Sequence, residues 1–284
     1  MRLSKVRFKN SFSYGILYLF LITAAIMFIL PILWWIIFAI KDSASIVMGE
    51  TLSEVWLPNK FLFIQNIRKA LNLYPMLKFF INSLIVSSTV TFFELFIASA
   101  SGYAFAKYNF FGKKLLFNLV LALLMIPQIV MVVPLFEMIV NFKMVNTYWA
   151  LIVPFMVTPF GIFMMRQFMY SIPNEYIEAA RVEGASEFNI FIKIIIPLSR
   201  NSFATLGIFT FLFQWDSLLW PLISTSKQPM YTLSVGISLL QANVQVPYNA
   251  LYAVTLLFSI PVLIVYIFFQ NLIMKSLAMT GLKE

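Results

Sequence analysis

The sequence predicts an all-α integral membrane protein with six transmembrane helices. Hydrophobic residues make up 61% of its 284 residues and charged residues only 11%, whereas a soluble domain has about 45–50% apolar and about 25% charged residues. The charges are also clustered, so that long uncharged stretches alternate with short charged segments. This apolar excess has to face lipid, and each helix that crosses a bilayer needs about 20 mainly apolar residues.

The first span follows a basic N-terminus. Arg2, Lys5, Arg7 and Lys9 precede an uncharged stretch that covers residues 10–40. A secretory signal peptide also begins with basic residues, but its apolar region is only about 7–15 residues long. We therefore predict a retained first span rather than a cleaved signal.

The other spans are bounded by charged residues in the same way. The six predicted spans cover approximately residues 14–40, 80–105, 115–139, 146–168, 202–224 and 251–274. Prolines recur within them and predict irregular or bent helices, because proline removes a backbone donor. Two interpretations remain open, namely ordinary packing irregularity and bent helices that rock around a pathway. The prolines concerned are Pro31, Pro127, Pro134, Pro154, Pro159, Pro221 and Pro261.

The distribution of Lys and Arg predicts that both termini are cytoplasmic, since cytoplasmic loops carry the excess of these residues. In this orientation the inner segments 1–13, 105–114, 166–200 and 275–284 hold 4, 3, 4 and 2 of the 20 basic residues. The outer segments 41–78, 140–147 and 224–250 hold 5, 1 and 1.

Residues 170–200, which we call the coupling segment, predict two short capped helices rather than a passive loop. Pro173 suits a first helical turn, and Glu175 suits the positive end of a helix. Gly184 suits a left-handed C-terminal turn, and Ser186 suits the N-cap of a second helix. Small residues and apolar anchors such as Phe188 indicate a docking element for a cytoplasmic partner. The alternative is a helix pair that packs only on the protein's own membrane core.

The coupling segment contains Glu178-Ala179-Ala180, then Gly184, an apolar stretch and Pro197. It resembles the signature loop of ATP-binding-cassette (ABC) importer permeases. Further motifs over about residues 61–284 follow that family's order and resemble its carbohydrate branch, specifically the maltose-type smaller permease subunit. They are Asn82-Ser83-Leu84, Gly112-Lys113, Met125-Ile126-Pro127, Asn146-Thr147, Pro159-Phe160-Gly161, Arg166-Gln167-Phe168, Trp215-Asp216, Leu219-Trp220-Pro221 and Tyr231-Thr232-Leu233.

The resemblance implies a type I ABC importer permease fold in a bacterial cytoplasmic membrane. The chain would consist of a cytoplasmic tail (1–13), the first span with its outer loop (14–60) and a core permease domain (61–284). The implied partners are a second homologous permease, two ABC ATPase subunits and an extracellular sugar-binding protein. The residues implied to couple to the ATPase are Glu178, Ala179, Ala180, Glu183, Gly184, Ala185, Phe188, Phe191 and Pro197.

The sequence itself provides no ATP site. A phosphate-binding loop has the pattern Gly-x-x-x-x-Gly-Lys-Ser/Thr, whereas Gly112-Lys113 has Lys107 in place of the first Gly and Lys114 in place of Ser/Thr. We therefore expect no cofactor in this chain, with ATP and Mg²⁺ bound by the partner ATPase. The chain also contains no Cys and no His, which excludes disulfides, Cys/His metal sites and His-dependent catalytic triads.

Acidic residues within the spans are candidates for a pathway or a subunit interface, because an ionised group at membrane depth costs about 2.5–3.5 kcal/mol on insertion scales. Asp216 lies among aromatic and amide side chains that could suit a passing sugar. An inter-helix hydrogen bond or a subunit interface is the favoured explanation, because in the resembling family the sugar contacts belong mainly to the other permease subunit. The residues proposed for these roles are Glu94, Gln214, Trp215, Asp216 and Trp220.

The outer loop 225–250 is polar and poor in charge. In the resembling family the matching loop reaches toward the binding protein, so Gln241, Asn243 and Gln245 are expected contact residues. A plain connection is the alternative.

Three other function classes agree less well with the sequence. A secondary transporter or channel would act without an ATPase and would show inverted repeats, which the sequence does not display. A membrane enzyme would need convergent acidic or His residues. Nucleic-acid binding is not indicated, since no basic run with interleaved aromatic residues lies outside the spans.

Overall fold

The computed structural model describes residues 2–42 and 60–281, with side chains described for residues 14–42 and 60–270. No β-strand occurs in the backbone of these residues. Most of the predicted outer loop after the first span, residues 43–59, lies outside the described residues. The α-helices are α1 (Arg2–Ile40), α2 (Phe63–Leu73), α3 (Met76–Lys107), α4 (Lys113–Leu124), α5 (Gln128–Asn141), α6 (Tyr148–Ile152), α7 (Pro159–Tyr170), α8 (Glu175–Val182), α9 (Glu187–Ile190), α10 (Ile196–Leu198), α11 (Arg200–Asp216), α12 (Leu219–Ser224), α13 (Leu233–Ala242), α14 (Tyr248–Phe258) and α15 (Ile260–Gly281).

Three spans are continuous and three are bent pairs of helices. The continuous spans are Tyr14–Ile40, Met76–Lys107 and Tyr248–Gln270. The bent pairs are Lys113–Leu124 with Gln128–Asn141 (106°), Tyr148–Phe155 with Pro159–Tyr170 (41°) and Glu187–Leu198 with Arg200–Asp216 (79°). In the third pair, Glu187–Leu198 belongs to the coupling segment, and Arg200–Asp216 is the part within the predicted fifth span. With each bent pair counted as one span, the six-span all-α prediction is confirmed.

The fifth span differs most from its predicted bounds of 202–224. Helix α11 ends at Asp216, and Ser217 adopts an extended conformation with φ −62° and ψ 120°. Helix α12 then begins as a separate element whose first turn contains Pro221. Proline is tolerated there but cannot donate the hydrogen bond that would join the two helices into one.

The chain divides into two compact units. The small unit comprises residues 1–74 and 240–259. In it, Asn66 Nδ2 donates to the Lys41 carbonyl at 2.9 Å, and Asn249 Nδ2 donates to the same oxygen at 3.0 Å and to Asn66 Oδ1 at 2.8 Å. These buried amides satisfy a carbonyl at the end of α1, where helix geometry leaves such groups without partners.

The large unit comprises residues 75–239 and 260–284, and its core is formed where α3 packs against α7 and α11. Gly102 permits close approach of α3 and α7, because a Cβ there would lie 2.7 Å from Met165 Cβ. Met165, Met169 and Leu206 are buried in this core. The coupling segment is anchored to the same hydrophobic cluster through Ile177, Ala180, Ile190, Phe191 and Ile195.

Candidate functional site

The coupling segment folds through local hydrogen bonds that its own residues provide. Helix α8 begins after Asn174 and carries Glu175 and Glu178 in its first turn, where negative charge is favourable. Gly184 has φ +81°, a left-handed conformation that glycine adopts without strain. Ser186 caps α9, since its hydroxyl accepts a hydrogen bond from the Asn189 amide at 3.3 Å. Pro173 precedes α8 rather than lying in its first turn.

The nine predicted coupling residues lie on two faces. Ala180 and Phe191 are buried and pack into the chain's own core, with Phe191 stacked on Tyr103 at 5.4 Å between ring centroids. Ala185 is half-buried. The exposed members are Glu178, Ala179, Glu183, Gly184, Phe188 and Pro197. Phe188 is 68% exposed. This apolar side chain therefore projects from a segment whose other face is buried in the core.

Residues at the end of α3 hold both halves of the coupling segment. Tyr108 donates its hydroxyl to Glu187, and Arg181 Nε donates to Glu187 Oε1 at 2.7 Å. Lys107 Nζ donates to Asn174 Oδ1 at 3.0 Å and to the Ile172 carbonyl. We call these contacts the brace. Hydrogen bonds from Arg181 and then from Tyr108 lower the pKa of Glu187, so its carboxylate is ionised at neutral pH.

Glu94 is fully buried where the fourth span breaks. Its Oε1 accepts a hydrogen bond from Thr158 Oγ1 at 2.7 Å, and Thr158 Oγ1 accepts one from the Gly161 amide at 3.0 Å. Thr158 is the N-cap of α7. Gly161 is required by this arrangement, because a Cβ at that position would lie 2.0 Å from Glu94 Oε1. The second carboxylate oxygen, Oε2, has no partner among the described residues.

The two tryptophans predicted near the pathway are packed inside the large unit. Trp215 stacks on Phe211 and contacts Phe80 edge-on, at centroid distances of 5.7 and 5.6 Å. Trp220 donates from Nε1 to the Ala150 carbonyl at 2.9 Å. Both indole rings are buried and are therefore used in packing within this subunit.

The three bent or interrupted spans converge on one cavity, which we call the break-point cavity. Its volume is about 690 Å³. Gln128 reaches it from the break before α5, Thr158 from the break before α7, and Gln214, Asp216 and Ser217 from the end of α11. Asp216 is exposed, whereas Gln214 is mostly buried. The cavity thus presents a few polar groups within a mainly apolar wall, the usual composition of a small-molecule site.

The opposite end of α3, which the sequence predicts to be extracellular, holds a segment distant along the chain. Asn82 Nδ2 donates to the carbonyls of Pro229 and Tyr231 at 2.9 and 2.8 Å, and Asn82 Oδ1 accepts from the Tyr148 hydroxyl at 2.7 Å. Ser83 Oγ accepts from the Leu233 amide at 2.8 Å. These contacts form the outer clamp.

Asn146 extends the outer clamp. It adopts φ +62°, a conformation in which asparagine is several-fold enriched. Its Oδ1 accepts from the amides of Ser226 and Lys227 at 2.6 and 2.8 Å. Asn82 and Asn146 belong to motifs that the sequence singled out, but their partners lie too far along the chain for sequence reasoning to identify.

The predicted binding-protein contacts lie in the small unit. Gln241 and Gln245 are exposed and Asn243 is half-buried. Asn243 Oδ1 accepts a hydrogen bond from the Gln245 amide at 3.0 Å, which turns the chain between them. Within the described part of the chain, no group of three acidic, His or Cys side chains could hold a metal ion.

Comparison with known proteins identifies the family. Residues 94–278 match the family described as binding-protein-dependent transport system inner membrane component. The chain is 32% identical over 269 residues to the arabinooligosaccharides transport system permease protein AraQ of Bacillus subtilis, covering 93% of this chain and 94% of AraQ. It is 30% identical to the diacetylchitobiose uptake system permease protein NgcG of Streptomyces coelicolor, covering 91% of this chain and 85% of NgcG.

A third relative is the sn-glycerol-3-phosphate transport system permease protein UgpE of Escherichia coli, 30% identical over 72% of this chain and 74% of UgpE. In fold, the chain is similar to a chain of a bacterial ABC transporter involved in the import of alginate, with a TM-score of 0.79, 20% identity and coverage of 91% and 95% of the two chains. The chain belongs to the family of binding-protein-dependent transport system inner membrane components, and it is a multi-pass transport permease rather than an enzyme.

Proposed function

We propose that this permease is one half of the translocation pathway of an ATP-driven importer for oligosaccharides. The solute class follows from the names of two relatives that this chain matches over most of their length, an arabinooligosaccharides transport permease and a diacetylchitobiose uptake permease. The structure of the coupling segment supports the proposed coupling role. Its pair of capped helices is anchored in the core on one face and exposed on the other.

The coupling segment would transmit motion rather than perform chemistry. A rigid helix held in a cleft of the ATPase subunit moves with that subunit. Helix α7 precedes the segment, α11 follows it, and both pack on α3. Because packed cores shift between discrete arrangements rather than deforming continuously, displacement of the segment would change how these spans pack. ATP and Mg²⁺ would be bound by the separate ATPase.

The proposed complex contains a second homologous permease, two ATPase subunits and an extracellular sugar-binding protein. Both termini and the coupling segment would be cytoplasmic, in accordance with the excess of Lys and Arg in those segments. The outer clamp would then face the binding protein. Asn82 and Lys107 lie near opposite ends of α3, roughly 38 Å apart at 1.5 Å per residue, which is sufficient to separate two membrane faces.

The break-point cavity is the proposed position of the pathway in this subunit. Asp216 and Gln128 could accept or donate hydrogen bonds to sugar hydroxyl groups, and the three helix breaks around them would allow the lining to move. The alternative for Asp216 is a contact with the second permease.

Paired aspartate substitutions test the coupling role. Val182 in α8 is 90% exposed and Val244 in the outer loop is 99% exposed, so Val182→Asp and Val244→Asp make the same chemical change at two accessible sites. We expect Val182→Asp to lower co-purification of the ATPase at least tenfold, because it places a charge in an apolar contact, whereas Val244→Asp retains the ATPase.

Uptake of labelled oligosaccharide in vesicles containing the binding protein completes this test. Retention of both ATPase and uptake by Val182→Asp would contradict docking through α8. Gly184→Pro provides a second variant, because proline cannot adopt φ +81°. Loss of uptake only, with normal ATPase binding, would contradict docking through the turn.

A further inference from the structure

We propose that a basic cavity at the start of α4 binds the phosphodiester headgroup of an anionic phospholipid in the cytoplasmic leaflet. This proposal rests on the proposed orientation but not on the transported solute. The cavity has a volume of about 950 Å³, and Asn109, Lys113, Lys114, Phe117, Asn118 and Arg166 contribute to its lining. None of the assigned functions uses these residues.

Among the residues that the structure describes, no acidic side chain neutralises the charge of this cavity. Three cationic side chains line it, and no acidic side chain is among the described lining residues. Lys113 Nζ donates one hydrogen bond to the Tyr108 carbonyl at 2.7 Å, which leaves two of its three protons for another acceptor. A cluster of like charges in one cavity is costly unless an anion occupies it.

Arg166 points most directly to an anionic oxygen ligand. Its guanidinium lies 3.9 Å from the centre of the Phe117 ring, which fixes the plane of the group. Its Nε atom is buried and has no hydrogen-bond partner among the described residues, although buried donors in proteins are nearly always paired. A phosphate group satisfies such a donor and can accept two parallel bonds from one guanidinium.

The start of α4 adds a favourable potential. Gly112 precedes the helix with φ +79°, provides no side-chain cap, and the first turn carries no acidic residue. The N-terminal end of a helix bears a partial positive charge, and here Lys113 and Lys114 of that first turn line the cavity.

The position of the cavity favours a lipid over a soluble anion. It lies between the end of helix α3 and the start of helix α4, and its wall includes Phe110, Leu115 and Leu121. Along α4 the side chains of Leu116 and Leu119 are exposed and would face acyl chains. The brace ties this membrane face to the coupling segment through Tyr108 and Glu187. Basic pockets between transmembrane helices on the cytoplasmic side are suited to anionic headgroups.

The test counts lipids bound to the full-length chain by native mass spectrometry, with phosphatidylglycerol or phosphatidylcholine added. Lys114→Gln removes one exposed cation from the cavity, and Lys143→Gln makes the same change beyond the other end of the same bent span. We expect the parent chain to bind phosphatidylglycerol more tightly than phosphatidylcholine. Lys114→Gln should bind phosphatidylglycerol about fivefold more weakly than the parent chain. The affinity of Lys143→Gln for phosphatidylglycerol should equal that of the parent chain.

Arg166→Lys is the second variant, since it keeps the charge but loses the planar fork and the stacking; it should also weaken phosphatidylglycerol binding. Competition with inorganic phosphate distinguishes the source of the anion. The proposal would be overturned if inorganic phosphate without lipid occupied the cavity as fully as phosphatidylglycerol does. It would also be overturned if the two lipids bound with the same affinity, or if Lys143→Gln weakened phosphatidylglycerol binding as much as Lys114→Gln does. Weaker ATPase co-purification with unchanged lipid binding would assign the cavity to a protein partner instead.

Discussion

At the residue scale, buried polar side chains stabilise the points at which helices break. Glu94 accepts from Thr158, and Thr158 caps α7 by accepting from the Gly161 amide. An acidic side chain inside a span is costly unless it is paired, and here it supports the N-cap at the break before α7. Pairing with this cap accounts for Glu94 without assigning it a place in the pathway.

Gly161→Ala tests this arrangement. The added Cβ would lie 2.0 Å from Glu94 Oε1, so the carboxylate would have to leave Thr158. Overpacking of this kind costs about 1–3 kcal/mol, and we expect a clear loss of thermal stability in detergent. Gly15→Ala is the matched control, because no atom lies within 4 Å of its added Cβ. Equal melting temperatures for the two variants would show that Glu94 does not require Gly161.

At the scale of elements, the coupling segment combines local capping with distant support. Gly184 and Ser186 shape it from within. The brace residues Lys107 and Tyr108 hold it from the end of α3. The segment can therefore transmit displacement to the spans only if these contacts limit its own bending.

Tyr108→Phe should loosen the coupling segment without unfolding the spans. The variant removes one hydrogen bond to Glu187, worth about 1 kcal/mol, so we expect amide hydrogen exchange in residues 175–190 to become about fivefold faster. Tyr176→Phe is the control, since Tyr176 is an exposed tyrosine of α8 outside the brace. If both variants exchange at the parental rate, the hydroxyl of Tyr108 does not support the segment. In the assembled importer, Tyr108→Phe should also lower uptake per ATP hydrolysed.

At the scale of the whole molecule, the large unit places different chemistry at its two membrane ends. The outer clamp around Asn82 holds residues 229–233, and the brace around Tyr108 holds the coupling segment. Helix α3 is continuous between them. The break-point cavity is lined by the spans that bend rather than by this straight one.

Asp216→Asn separates the two roles considered for this residue. The variant keeps the size of the side chain but removes its charge. If Asp216 contacts the solute, uptake should fall several-fold while the two permeases still co-purify. If it lies at the interface, co-purification of the second permease should fall first. Asn141→Asp, at an exposed position that ends α5, is the control for a change of charge elsewhere. If Asp216→Asn shows the same uptake and the same assembly as the parent chain, both roles are excluded.

Local patterns explain why much of the coupling segment could be predicted. Capping by Ser186 and the left-handed turn at Gly184 involve neighbours within a few residues, so residue type and spacing are sufficient to predict them. The brace and the outer clamp could not be predicted in this way, because Tyr108 and Glu187 are 79 residues apart and Asn82 and Tyr231 are 149 apart. Which side chains meet over such separations depends on how the helices pack.

The sequence by itself determined the membrane class, the number of spans and the family, because apolar composition, charge spacing and local motifs are properties of the linear chain. Tertiary structure alone decided that the fifth span ends at Asp216, that Trp215 and Trp220 are packed internally, and that Phe191 faces the core rather than the surface. The physical reason is that burial and hydrogen-bond partnership depend on neighbours from other helices. The coupling segment is where the two kinds of information meet, since its caps are local and its support is not.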